Sequence, residues 1–145
     1  MFGTRLGSVL MAGVGFAHLV PATAMMSRDR VEDVYGITVN DSDTELLLRH
    51  RATFFGLIGV GLIVGAVDPR YRIAALASGA LPLGSFVVLA NTIGTSNDAL
   101  TRVARVDVGL LGALATAALA SSRGVHHPRR RPLLRLSLTG RGPSS

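Results

Sequence analysis

The chain has no cysteine, which excludes structural disulfides, thiolate metal sites and cysteine nucleophiles. Lysine is absent too, so all fifteen basic residues are arginine. Charge of either sign is scarce, at 17% of residues, and no glycine-rich phosphate loop, nucleophile elbow or paired-carboxylate arrangement can be found. No internal repeat of the kind expected in a transporter is visible either. What remains is apolar: 48% of the 145 residues are hydrophobic and the mean hydropathy is +0.43, which points to lipid as the solvent.

Four apolar stretches carry that signal. The first runs from Leu6 to Met26 without a formal charge, and others lie near 53–67, 73–92 and 108–121. A span needs about 20 apolar residues, so four spans use about 80 and leave little for a soluble domain. The segment Thr53–Val67 covers only about 22 Å at helical rise. It must therefore begin near Glu45, which places Arg49, His50 and Arg51 in its first turns. The expected spans are 6–26, 45–67, 73–91 and 98–121, forming an all-α integral-membrane four-helix bundle over residues 1–122. A polar connection is expected from Ser27 to Thr44, and Ser96 or Asn97 should cap the fourth helix. Arg5 followed by the apolar run and Ala22-Thr23-Ala24 also imitates a cleavable secretory signal. The spanning reading is preferred because the run is long enough to cross and Gly13, Gly15 and Ala17 suit helix packing.

Arginine placement gives an orientation. An even number of spans puts Arg5, Arg70, Arg72 and the six tail arginines on one side, nine in all, against six on the other, whose first loop is acidic. The positive-inside rule then makes both termini cytoplasmic in an inner membrane. Residues 123–145 hold six arginines and no acid, with proline, glycine and serine, the composition of a disordered cytoplasmic tail. Such a tail suits anionic lipid at about 1 kcal/mol per basic residue, and nucleic acid is not expected as a partner.

The polar interruptions gather at the extracytoplasmic end: His18 in the first helix, Arg49, His50 and Arg51 in the second, Asn91 in the third, and Arg102, Arg105 and Asp107 in the fourth. Together they form the candidate ligand-binding cluster. A charged residue at a bilayer centre costs about 2.5–3.5 kcal/mol on insertion scales, so these groups must be paired, hydrated or near an interface. Arg49 and Arg51 can snorkel to the headgroups, with Glu45 one turn back as partner for Arg49, and Asp98 stands in the same relation to Arg102. Arg105 shares a face with Gly109, Gly112 and Thr116 and is expected to turn into the bundle. Asp107 lies about 200° away, beside Val103, Leu111 and Leu114. His18 is the deepest candidate. Pro21 cannot donate to the carbonyl of Ala17, which leaves an acceptor beside the imidazole. A proton relay, a quinone contact or a metal ligand could use such a place, and so could a packing histidine. Only His18 and His50 could meet in the bundle, which makes a poor metal or haem site, so no metal and no cofactor are expected. Gly61 and Gly65 read as a small-xxx-small packing pair.

The segments His18-Leu19-Val20-Pro21, Tyr35-Gly36-Ile37, Leu46-Leu47-Leu48-Arg49-His50-Arg51-Ala52 with Phe55-Gly56, and Asn97 through Asp107 resemble a family of small bacterial four-helix integral-membrane proteins, loosely similar to DoxX-like proteins. The resemblance covers about residues 5–120. It implies four spans and carries no established activity or catalytic residue. The expectation is a non-enzymatic inner-membrane protein, a structural, accessory or small-ligand- or lipid-binding bundle. It would partner membrane lipid and could form a homo-oligomer or part of a larger membrane complex. The alternative is a redox-linked subunit in which His18 and Arg49 contact a quinone.

Overall fold

The computed structural model describes residues 2–94 and 97–122 and contains no strand among them. Its elements are α1 (Phe2–Ala22), a 3₁₀ turn (Thr23–Met25), α2 (Arg28–Tyr35), α3 (Ser42–Val67), α4 (Arg72–Ile93) and α5 (Asp98–Ser122). The bundle is all-α, and α1 with its 3₁₀ turn, α3, α4 and α5 are long and apolar enough to cross a membrane. The expected tail, 123–145, lies outside the described residues.

Local signals explain the boundaries. Asp41 caps α3 by accepting from the Thr44 amide at 2.8 Å, and Asp43 and Glu45 in the first turn complement the helix dipole. The helix therefore begins three residues before the expected Glu45. It stops at Asp68, where Pro69 disfavours a further helical residue. The first helix begins and ends earlier than the expected 6–26, and the chain tightens into the 3₁₀ turn within one candidate span, Gly3–Met25.

The connection 27–44 is not a simple polar loop, since it folds α2. Ser27 Oγ accepts from the Arg30 amide at 3.3 Å, and Gly36 closes the helix in the left-handed region at φ 60°, its amide donating to Glu32 O at 2.8 Å. Val31 and Tyr35, one turn apart, bury against Ala24, Val39 and Ala52 and form a small core above the main bundle. Asn97 ties this cap to α5. Its Oδ1 accepts from the amides of Ala99 (2.8 Å) and Leu100 (3.2 Å), while Nδ2 donates to Gly36 O at 2.9 Å.

Helix α1 packs on α3, α3 on α4, α4 on α5, and α5 closes back on α1. The main core joins Met11, Val14, Leu62, Ala66, Ala75, Leu83, Leu114 and Ala117. Helices α1 and α3 meet backbone to backbone through two glycines. A Cβ on Gly15 would sit 2.8 Å from Gly59 O, and a Cβ on Gly59 would sit 2.8 Å from Gly15 O. Only glycine permits this approach, and small residues are the usual means of packing helices in lipid. Gly65 is similarly confined, with Ala75 Cβ at 2.6 Å, but Gly61, its expected partner, faces open space, as does Gly13. Outward positions are apolar too: Phe16, Leu57, Ile73 and Leu81 are all exposed, as lipid contact requires. At the end away from α2, Arg72 donates to Ser8 Oγ at 3.0 Å and to the carbonyls of Gly65 and Ala66, completing acceptors at the end of α3.

Candidate functional site

The expected polar cluster separates into distinct places. Four of its members, His18, Arg51, Arg102 and Asp107, line one cavity of about 410 Å³ bounded by α1, α3, α4 and α5 and covered by α2. That volume falls within the range of about 300–1,000 Å³ common for ligand cavities. Most of its wall is apolar, contributed by residues such as Ala17, Val34, Phe55, Leu83 and Leu110. Val20 of α1 and Val106 of α5 stand at its edge with 67% and 53% of their surface exposed, so the cavity opens sideways between these helices.

His18 is 2% exposed, and its Nδ1 lies 2.9 Å from Val14 O. A carbonyl only accepts, so Nδ1 carries a proton, and in the neutral tautomer that this bond selects the lone pair is at Nε2. That Nε2 is buried without a partner among the described residues. Phe55 meets the imidazole edge-on, with ring centroids 6.0 Å apart. Tyr35 Oη is the second buried atom without a partner, and it belongs to the same cavity wall. Burial raises the Tyr35 pKa against the opposing charge of Arg51, so the phenol keeps its O–H. A buried polar group lacking its hydrogen bond costs about 1–3 kcal/mol, so both are incomplete rather than inert.

Arg51 is held by rings. Its guanidinium carbon lies 5.8 Å from the centroid of Tyr35, 5.3 Å from Phe55 and 5.0 Å from Phe86. These cation–π contacts hold the charge among the rings and use none of the guanidinium N–H groups as hydrogen-bond donors. Arg51, Arg102 and Asp107 have no hydrogen bond or ion pair among the described residues, although Arg51 acts electrostatically on Asp107. The expected Asp98–Arg102 pair does not form.

The remaining members lie elsewhere. Arg49 braces the end of α1: its Nε donates to Met25 O at 3.0 Å, its Nη2 to Met26 O at 3.3 Å and its Nη1 to Glu45 at 2.9 Å. Glu45 thus pairs with Arg49 as its spacing predicts, and also with Arg28 at 2.7 Å. Arg49 is therefore occupied and outside the cavity that His18 lines. His50 is exposed, edge-on to Phe54 at 4.8 Å, in a separate open groove with Glu45 and Arg49. Asn91 turns back on its own helix, donating to Val87 O at 2.7 Å. Arg105 is exposed, and Gly109 and Gly112 on its face have nothing within 4 Å, so the face expected inside the bundle looks outward and that of Asp107 looks in.

No match emerges when the chain is compared with protein-family models, curated proteins and solved structures. The site therefore has to be read from its own chemistry. No group of three histidine, cysteine, aspartate or glutamate side chains converges among the described residues. The cavity instead combines an apolar wall with two cations, a carboxylate, a phenol and an imidazole lone pair. Tyr35, Phe55 and Phe86 were not foreseen as site residues. Their signal is weak in sequence, because the rings come from three helices and meet only around Arg51.

Proposed function

We propose that this is a multi-pass protein of the bacterial inner membrane, with cytoplasmic termini, whose bundle binds an amphiphilic small molecule from the outer half of the bilayer. The carrying observation is the lateral, otherwise apolar cavity in which half-buried Arg51 and Asp107 and exposed Arg102 have no hydrogen bond or ion pair among the described residues. An intramembrane ionisable residue is costly unless a partner completes it, and a bound polar head supplies that partner. The arginine asymmetry supports the orientation, and the DoxX-like resemblance is compatible with four spans. Native mass spectrometry of protein purified in mild detergent tests the reading. Wild type should retain an amphiphile adduct, and Val106→Trp at the mouth should lose it. A wild-type protein that carries no adduct, or a Val106→Trp variant that retains it fully, overturns the proposal.

A second reading is a redox-linked subunit that holds a quinone. It is favoured by the His18 lone pair beside Phe55 and the Tyr35 phenol in an apolar cavity. Arg49, expected beside His18 in this role, is committed to carbonyls and Glu45. Quinone content should fall in His18→Ala relative to wild type, and an unchanged content refutes this reading.

A further inference from the structure

The cavity's incomplete groups have a definite charge pattern. Arg51 and Arg102 offer donors to an anion, whereas the Asp107 carboxylate and the lone pair of His18 Nε2 call for a donor of protons. A purely anionic head would satisfy the first pair and meet repulsion from the second, since a carboxylate beside an anion is destabilising. A cation alone reverses the conflict. A head with both a phosphate and a protonated amine satisfies both sets.

Position supports the same assignment. Arg51 is nine residues into α3 and Asp107 nine residues into α5, so the two lie at similar depth from the same end, about 14 Å along their helices. Arg102 lies about 7 to 8 Å nearer that end, turned about 140° around α5 from Asp107, and is an exposed residue that also lines the cavity. A phosphate in the cavity would accept from both guanidinium groups, whose N–H donors have no acceptor among the described residues. The amine reaches Asp107. The chains leave sideways past Val20 and Val106, which are exposed and apolar, into the bilayer.

Resting on the amphiphile-binding reading, we propose that the cavity selects a zwitterionic phospholipid head of the phosphoethanolamine type, with Arg51 and Arg102 on the phosphate and Asp107 on the ammonium group.

The test uses the full-length, delipidated protein in detergent and native mass spectrometry. Dioleoyl phosphatidylethanolamine, its N-monomethyl and N,N-dimethyl derivatives, phosphatidylcholine and phosphatidylglycerol are added singly at equal concentration. Adducts should decline along the methylation series as N–H donors disappear, with phosphatidylethanolamine favoured over phosphatidylcholine by about tenfold, the scale of one charge-assisted hydrogen bond. Phosphatidylglycerol should also bind below phosphatidylethanolamine. Asp107→Asn should bring the ethanolamine and choline lipids close to parity, Asp107→Glu should restore the preference, and Arg51→Gln should weaken retention of every phospholipid. Free phosphoethanolamine should displace the lipid only weakly; displacement as strong as that by the whole lipid would assign the site to the soluble head instead and overturn the lipid assignment. Equal wild-type adducts across the methylation series, which requires no variant, overturn the proposal. If those adducts are still lost in Val106→Trp, the amphiphile reading stands and only the headgroup assignment fails. Absence of any adduct refutes both.

Discussion

Replacing Gly59 by alanine places a methyl group 2.8 Å from Gly15 O, 3.0 Å from Leu19 Cδ2 and 3.3 Å from His18 Cβ. The leucine methyl can swing away, but the Gly15 carbonyl is backbone and cannot, so α1 and α3 must separate. Overpacking of this kind costs about 1–3 kcal/mol. The same change gains about 0.8–1 kcal/mol of helix propensity, leaving Gly59→Ala about 0–2 kcal/mol less stable than wild type. Gly61, two residues along the same helix, has nothing within 4 Å, so Gly61→Ala keeps the gain without the clash. The propensity contribution cancels between the two variants, and their difference isolates the close approach at about 1–3 kcal/mol. Thermal unfolding in one detergent, followed by far-ultraviolet circular dichroism, measures it. Gly59→Ala should melt below wild type and Gly61→Ala at or above it. Equal midpoints for the two variants would refute the claim that the Gly15–Gly59 contact sets the α1–α3 distance. Because His18 rides on α1 and Phe55 on α3, Gly59→Ala should also reduce retention of the bound amphiphile.

Arg49→Ala removes two bonds to carbonyls and one ion pair at a half-exposed site, and should cost about 1–2 kcal/mol, with Arg49→Lys recovering only part because it lacks the fork; an unchanged melt would show that the end of α1 is not braced there. The Thr44 amide holds the Asp41 carboxyl below its ordinary value of 3.8, so its contribution to stability is present above that value and lost as pH falls through the lowered folded value. Melting wild type and Asp41→Asn side by side from neutral to acid pH should show a wild-type advantage that disappears in acid, and a pH-independent difference refutes the cap. Tyr35→Phe deletes a hydroxyl with no partner among the described residues, so stability should hold or rise by up to about 1 kcal/mol while amphiphile retention falls. A clear stability loss in Tyr35→Phe would mean that the phenol is engaged within the fold.

The four long helices are legible in the sequence because each is a long apolar run, and the Asn97 cap and the Glu45–Arg49 pair follow from local spacing. Helix α2 escapes the same reading. Its eight residues include five charges, and its apolar signal is only Val31, Val34 and Tyr35, too short to show a period. Rotation about the helix axis is the larger gap. Two residues along a helix turn it by about 200°, so Arg49 and Arg51, Arg105 and Asp107, or Gly59 and Gly61, are neighbours in sequence and opposites in space. Helix α3 is apolar on its lipid and core sides alike, so hydropathy carries no record of which way it faces. Packing fixes that rotation, through Gly59 against Gly15 and Leu62 and Ala66 in the core, and with it the choice of Arg51 over Arg49 for the cavity.

Asn97 gives the covered end of the bundle a common fate. One amide side chain holds the first turn of α5 at Ala99 and Leu100 and the final turn of α2 at Gly36, residues more than sixty positions apart in the chain. Fraying at either terminus therefore breaks the bond that secures the other, so the lid over the cavity and the first turn below it open as a single cooperative unit in hydrogen exchange. Access from above and the placement of Arg102 are thereby linked through a residue that does not line the cavity.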